Sequence, residues 1–474
     1  MLPILYIASE WLIRLLMVPV VLRRKHPQAA LAWLAAIFFL PWVGFFFYLL
    51  IGEHRLGTRR LKAHAATVAR LKKLVKRAAD RAEASPPRIK SGRRDMVRLA
   101  QSLSEMPVVG GNSIELIDDS AEFVRRVVRD IDAATRTAHL LFYIYEDDEA
   151  GRSIADALIR ARGRGVQCRL LADAVGSPAL FKKGLARTMR DAGVEVVAAL
   201  PVNPFRALLH RIDLRNHRKL AVIDGETAIT GSHNVILPAS GGKEGGPWRD
   251  LSVRLRGPVV FQCEIVFLED WCFATGSTEA AEMAMLDPEP DGGIAIQTVP
   301  SGPTFESDVF LDFIVGIIHE AEERIIITSP YFVPDPVVAL ALRIAVLRGV
   351  KVDIVVPQES DHPLLCAAAR SHITTLLEAG IRIHFHNKGL LHAKTVSVDD
   401  DLAVIGSGNF DMRSFYLNFE LNLLAYGPKA ASALVAAQEK YIAESELIDT
   451  ERWCKRSRWK RFVDDCAGLL SPLL

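Results

Sequence analysis

Two hydrophobic patterns divide the chain. Apolar positions run almost unbroken through the first fifty residues; from about residue 105 onward, short β-rich runs alternate with stretches of helical periodicity. Residues 28–51 (QAALAWLAAIFFLPWVGFFFYLLI) carry no charge over more than the ~20 residues a helix needs to cross a ~30 Å hydrocarbon core. The run predicts a spanning helix, kinked or closely packed around Pro41 and Gly44 rather than broken. Residues 2–22 are a weaker candidate, because Glu10 and Arg14 lie four apart on one helical face. Either the two pair inside a helical hairpin, the favoured reading, or the segment lies flat at the membrane interface. A cleaved signal peptide fits poorly: the basic n-region is missing, no small-residue cleavage site follows, and a second apolar segment comes next.

The second pattern repeats. AHLLFYIYEDD (138–148), a helical stretch, RGVQCRLLAD (164–173), AGVEVVAALP (192–201) and RNHRKLAVIDGETAITGSHN (215–234) recur in order as RIIITSPYFVPD (324–335), a helix, RGVKVDIVVP (348–357), AGIRIHFHNK (379–388) and LHAKTVSVDDDLAVIGSGN (391–409). Strands alternating with helices predict an α/β class. The expected architecture is two homologous lobes with mixed, mainly parallel sheets flanked by helices, plus an N-terminal transmembrane hairpin. The expected boundaries are 1–52 for the hairpin, 53–104 for a basic juxtamembrane helix and linker, and 105–290 and 291–474 for the lobes. Insertions at 201–216 and 241–246 belong in surface loops of the first lobe.

Composition narrows the class. Of 474 residues, 50% are hydrophobic and 24% charged, which excludes disordered and collagen-like chains. A formal charge of +2 gives no whole-protein field for nucleic acid, so any contact with phosphates comes from local clusters. One such cluster is Arg55, Arg59, Arg60, Lys62, Arg70, Lys72, Lys73, Lys76 and Arg77, after the apolar region. By the positive-inside bias it puts the large C-terminal part in the cytoplasm, against Arg23-Arg24-Lys25 in the short connection. A second, mixing Trp453 and Trp459 with Arg452, Lys455, Arg456, Arg458, Lys460 and Arg461, suits contact with anionic membrane lipid. The six cysteines show no metal-ligand spacing and are expected as small buried hydrophobes.

The chemistry lies in a motif present once per repeat. His217-x-Lys219, Asp224 and Gly231-Ser232-x-Asn234 return with equal spacing as His392-x-Lys394, Asp399 and Gly406-Ser407-x-Asn409. In an extended HxK the imidazole and ammonium project to one face, since the strand period is two. Two such sets at an interface between lobes would make one anion site suited to a phosphodiester: fixed donors stabilise phosphoryl charge, one histidine attacks phosphorus and the other protonates the leaving alcohol. This chemistry requires no metal and no cofactor.

The paired motifs resemble those of the phospholipase D superfamily, and NFDMRS (409–414) through NFE (418–420) resembles the bacterial cardiolipin synthases. So do the N-terminal apolar pair, YEDDEAGR (145–152), DAVGS (173–177), SPYFVPD (329–335), SDHPLL (360–365) and LLSPLL (469–474), covering nearly the whole chain. The resemblance implies transfer of a phosphatidyl group between two phosphatidylglycerol molecules through a phosphohistidine, in a multi-pass protein of the bacterial inner membrane. It implies His217 as nucleophile and His392 as general acid/base, with the near-symmetry leaving the reverse open. Lys219, Lys394, Asn234 and Asn409 would bind phosphoryl oxygens, supported by Ser232 and Ser407, and Asp250 and Glu420 would orient the histidines. Asp224 and Asp399 complete the catalytic motif, although their position suits the turn after the strand. Phosphatidyl transfer to water or another alcohol, nuclease action and a silent membrane scaffold are the competing functions.

Overall fold

In the computed structural model, which describes residues 2–23, 27–52, 67–69, 71, 87–202, 213–237, 247–277, 288–359 and 363–469, Pro41 interrupts the longest apolar run of the chain. Helix Pro27–Phe39 stops, Leu40 leaves helical geometry (φ −132°, ψ 72°), and helix Pro41–Phe47 follows, continued by one π-helical turn, Tyr48–Gly52. Proline lacks the N–H for the helical ladder and pushes the preceding residue out of the α region. The expected single helix over 28–51 is therefore broken. Gly44 lets the pieces close: a Cβ there would sit 2.8 Å from the Ala36 and Ile37 backbone. The first segment, expected to be weaker, forms the one helix among the described residues long and apolar enough to cross a membrane, Leu2–Val21. Arg14 reaches Glu10 at 3.4 Å and donates to the Phe38 carbonyl at 3.1 Å, tying the first helix to the second. The basic residues between positions 55 and 77, and the 241–246 insertion, lie outside the described residues.

The rest is a mixed α/β body around one large sheet. Its strands are β1 (Val109–Ile117), β2 (Thr137–Phe142), β3 (Gln167–Asp173), β4 (Glu195–Ala199), β5 (Leu220–Ile223), β6 (Thr227–Gly231), the short β7 (Trp248–Arg249), β8 (Ser252–Arg256), β9 (Ile294–Ser301), β10 (Arg324–Thr328), β11 (Lys351–Pro357), β12 (Arg382–His386), the short β13 (Leu390–Leu391), β14 (Thr395–Val398), β15 (Leu402–Gly406), β16 (Glu420–Tyr426) and β17 (Ser445–Leu447). They run β17-β12-β11-β10-β14-β15-β16-β9-β1-β8-β6-β5-β2-β3-β4, with β7 and β13 paired apart. Outward from the central β9–β1 pair the order is the same in both directions, apart from the extra edge strand β17.

The sheet is not mainly parallel. Only β2–β3–β4 and β10–β11–β12 run parallel; its other pairings are antiparallel. Parallel neighbours need a helical crossover, which Glu149–Gly163 supplies between β2 and β3 and Pro336–Leu347 between β10 and β11. The β5–β6 connection instead turns back through Asp224-Gly225, both at positive φ (54° and 69°), a tight hairpin that Asp-Gly favours. Helix Val259–Thr275, buried on nearly every side, packs in one core with Leu141 and Leu171 from the first half and Leu421 and Leu423 from the second. Each such fully buried side chain contributes roughly 1.5–3 kcal/mol.

The segment expected as a linker is partly folded onto this body. Helix Arg94–Ser104 packs against helix Val309–Glu320, and the buried Arg93 before it donates to Asp399 at 2.6 Å and Asp401 at 2.8 Å. Removing the cation leaves Asp401, 2% exposed, with only the exposed Lys90 ammonium at 3.0 Å as its cationic partner. Arg93→Ala is expected to destabilise the protein by about 2–3 kcal/mol, since Lys90 and the backbone donors keep part of the compensation, read as a lower urea midpoint, while the folded fraction keeps its turnover.

Candidate active site

Both HxK segments sit at the carboxyl ends of the parallel strands, the usual ligand-binding edge of an open α/β sheet. Leu220, directly after Lys219, pairs with Leu141 near the end of β2, and Thr395, directly after Lys394, pairs with Thr328 at the end of β10. The approach to each histidine is stitched to the opposite half. His217 N–H donates to the Phe419 carbonyl and Phe419 N–H to that of Arg215, both at 2.9 Å. Correspondingly, β13 pairs with β7, and His392 N–H donates to the Arg249 carbonyl at 2.8 Å. Phe419 precedes Glu420 and Arg249 precedes Asp250, so these backbone pairings deliver an acid from one half to the histidine of the other.

The contacts are crossed accordingly. His217 Nδ1 lies 3.0 and 3.1 Å from the two Glu420 oxygens, and His392 Nδ1 lies 2.5 Å from Asp250 Oδ1. A carboxylate on Nδ1 selects the tautomer protonated there and leaves Nε2 with its lone pair. All four groups are buried. Burial is the largest influence and pushes both histidines below their ordinary value of 6.5, His392 to about 4 with Lys394 adding to the effect, and the facing carboxylates oppose it. Burial pushes the two acids up, but their histidine partners outweigh it and hold both below the usual carboxylate range.

Each lysine ammonium donates to the backbone carbonyl of the histidine of its own motif. Lys219 is fully buried and falls well below the usual lysine value through burial, with the charge of Lys394 adding to the effect. Lys394 also acts on His217, and Lys219 on His392. Tyr143 stands edge-on to His217 with ring centroids 4.8 Å apart and lies 5.3 Å from Lys219 Nζ; Trp248 stacks on His392 at 4.4 Å. Asn234 Oδ1 accepts from Ile144 N–H at 3.2 Å, and its buried Nδ2 has no partner among the described residues, a donor ready for an anion. Asn409 differs, since its Nδ2 donates to Asp411 at 3.1 Å.

Two expectations change. Ser232 and Ser407 do not direct their hydroxyl protons at a phosphoryl group: Ser232 Oγ donates to Asp250 at 2.6 Å and Ser407 Oγ to Glu420 at 2.5 Å. Each also accepts an N–H, from Leu251 and Leu421, which fixes the acid's strand. Asp224 and Asp399 lie away from the site, at the amino ends of β2 and β10. Asp224 takes the N–H groups of Thr135, Arg136 and Thr137, each at 2.8 Å, and Asp399 those of Glu323 and Arg324. Burial would raise these two acids, but the backbone donors win and lower them. Their role is to clamp the strand turn.

Sequence reasoning missed the frame behind His217. Buried Arg218 donates to Asp270 at 2.8 Å and to the carbonyls of Glu420 and Ser301, while Asn216 donates to the other Asp270 oxygen. Burial of an arginine at the variable HxK position carries no sequence signal, and the second motif has Ala393 there. Ser414, donating to Glu420 at 2.9 Å, was also missed. Tyr145 is core, its hydroxyl on the Gly151 carbonyl; His233 stacks on Phe123, and His384 pairs with Asp353. Among the described residues no His, Cys, Asp and Glu cluster could hold a metal ion.

Comparison with known proteins adds relatives. A family model described as "Cardiolipin synthase, PLD-like domain" matches twice, at residues 127–240 and 314–441, and a "Phospholipase_D-nuclease N-terminal" model matches 11–53. The chain is 38% identical over 470 residues to Cardiolipin synthase A of Klebsiella pneumoniae (strain 342), covering 96% of this chain and 95% of that one. It is 36% identical over 468 residues to Cardiolipin synthase A of Serratia proteamaculans (strain 568), with the same coverage. A phosphatidylserine synthase from Haemophilus influenzae Rd KW20 shares the fold, with a TM-score of 0.59 and 16% identity over 80% of this chain and 100% of that one.

Proposed function

The chain belongs to the PLD-like cardiolipin synthase family, and on that premise we propose that it transfers a phosphatidyl group from one phosphatidylglycerol to another, giving cardiolipin and glycerol. The crossed pairs His217–Glu420 and His392–Asp250 carry the reading, because they make one site from two halves. In the first step Nε2 of neutral His217 attacks phosphorus, the P–O bond to glycerol breaks, and protonated His392 supplies the proton to the leaving oxygen. The bound phosphodiester anion favours that protonated state against the burial that otherwise opposes it. In the second step neutral His392 takes the proton from the hydroxyl of a second phosphatidylglycerol, whose oxygen attacks phosphorus and releases His217. Lys219, Lys394 and the Asn234 amide neutralise phosphoryl charge as it shifts.

The matching strand order and the doubled family match support two homologous phospholipase D-like lobes, 105–290 and 291–474, after a basic juxtamembrane segment, 53–104. The apolar helix Leu2–Val21 with the broken pair behind it supports a multi-pass anchor, 1–52; the basic run at 55–77 in the sequence is what argues for the catalytic part on the cytoplasmic side. Mass spectrometry of products formed by the purified protein on phosphatidylglycerol vesicles tests the function. Cardiolipin and glycerol in equal amounts are expected, with EDTA leaving the rate unchanged; phosphatidic acid as the main product would make the protein a hydrolase instead.

Anchor and catalyst separate in this scheme. Deleting residues 1–52 is expected to leave turnover on detergent-dispersed phosphatidylglycerol within about threefold of the full chain. Rates on vesicles should fall about tenfold or more and respond to salt, as binding through screened cations does. A folded truncated protein inactive even in detergent would mean that the hairpin helps build the site.

A further inference from the structure

We propose that the apolar cleft beneath helix Pro363–Glu378 holds an acyl chain of the phospholipid substrate, an inference that rests on the phosphatidyl-transfer reading and adds where the chain lies. The cleft lies between that helix and the carboxyl ends of β10 to β12; it encloses about 30 Å³, and about 470 Å³ with its open mouth included, so a chain would lie along it as in an open groove. Its walls include Tyr331, Phe332, Ile354, Ala369, Ile373 and Phe385.

Three observations point to a lipid chain. The cleft starts beside the second motif: Phe332 stacks on Phe410 with centroids 5.4 Å apart, Val333 N–H donates to the Phe410 carbonyl at 2.8 Å, and Phe410 follows Asn409. A chain attached to a phosphate held between the two motifs thus has an apolar groove beside the second motif. The lining is almost wholly hydrocarbon, with Arg370, Tyr331 and Cys366 as its polar side chains. A peptide inserted there would leave most of its backbone groups unpaired, whereas an acyl chain brings none.

The third observation is the outer side of the same helix. It packs on helix Arg458–Gly468, with Val333, Ala368 and Ala467 in one cluster. That C-terminal helix exposes Trp459 (71%), Phe462 (56%) and Val463 (44%) at i, i+3 and i+4, with Arg458, Lys460 and Arg461 exposed around them. An apolar ridge rimmed by cations suits the headgroup boundary of an anionic bilayer. The cleft therefore lies between a surface fitted to lipid and a site fitted to phosphate.

Two variants and one cross-linking experiment test this. Ala369→Trp fills the cleft and Ala369→Leu narrows it. Dioleoyl phosphatidylglycerol in mixed micelles and water-soluble dihexanoyl phosphatidylglycerol serve as paired substrates. The ratio of kcat/KM for the long chain to that for the short is expected to fall at least tenfold in the Trp variant and about threefold in the Leu variant. An unchanged ratio in both would overturn the proposal, whether or not overall activity drops. Separately, phosphatidylglycerol with a diazirine at the end of one acyl chain should label residues 330–332, 354–357 or 365–376 of the full-length wild-type protein, and Ala369→Trp should abolish that labelling. Adducts confined to helices Leu2–Val21 and Arg458–Gly468 would refute the cleft. Labelling in the cleft by a protein that forms no cardiolipin would refute the transfer reading and leave the cleft standing.

Discussion

His217→Ala and His392→Ala are each expected to lower cardiolipin formation by about 10³-fold or more while leaving the protein folded. The expectation follows from the double displacement: without the nucleophile no covalent intermediate forms, and without the acid the glycerol oxygen must leave as an alkoxide. The losses should not add, because the two groups act in one sequence and the double variant should be about as slow as either single one. Each ring also rests on an aromatic neighbour, Tyr143 or Trp248, and its loss leaves a buried acid without its imidazole, so thermal midpoints should fall while the fold persists. Steady-state rates and melting curves on the same preparations check both points. A single variant retaining near wild-type turnover would mean that the two halves do not share one site.

Glu420→Gln and Asp250→Asn should lower kcat by roughly 10²–10⁴-fold with a much smaller change in KM, since each amide is nearly isosteric but uncharged. The sign of the accompanying pH effect is fixed. In the native protein the carboxylate is the influence that raises its histidine against burial. Removing the anion therefore drives His392 below about 4 in Asp250→Asn, and the population of protonated acid shrinks further at every pH above that. The pH–rate profile of Asp250→Asn should shift to lower pH, and nitrogen NMR of the imidazoles should show loss of the single tautomer. A residue that merely filled space would change stability without moving either readout.

The motif histidines and lysines are legible in the sequence because a period of two puts the ends of HxK on one face and because the pattern occurs twice. Which acid serves which histidine is not legible from spacing. Glu420 and Asp250 are 203 and 142 residues from their partners, and the crossed pairing is created by backbone bridges between halves that no local pattern encodes. The true partners of Ser232 and Ser407 are hidden for the same reason, since their acids come into view only once the strands are paired.

Asp224 and Asp399 lie within the motif in sequence but at the far end of the strand in space, four residues of extended chain beyond the lysine side. Alternating strands and helices suggest mainly parallel pairing, yet Asp224-Gly225 is a hairpin signal already present in the sequence. Hydropathy ranks the two N-terminal segments without regard to backbone chemistry, so a proline breaks the more apolar one while the segment bearing Glu10 and Arg14 stays continuous. The cysteines divide as well: Cys168, Cys263 and Cys272 are buried, but Cys454 and Cys466 are exposed.

The stereochemical course at phosphorus tests the covalent, two-histidine account most directly. Phosphatidylglycerol made chiral at phosphorus with sulfur and oxygen isotopes would be converted to cardiolipin and the configuration of the product read by phosphorus NMR. Two in-line displacements, one onto histidine and one off it, each invert the centre, so net retention is the expected result. Net inversion would mean that the second lipid attacks the first directly, with no phosphohistidine between them, and would contradict the roles of His217 as nucleophile and His392 as general acid and base.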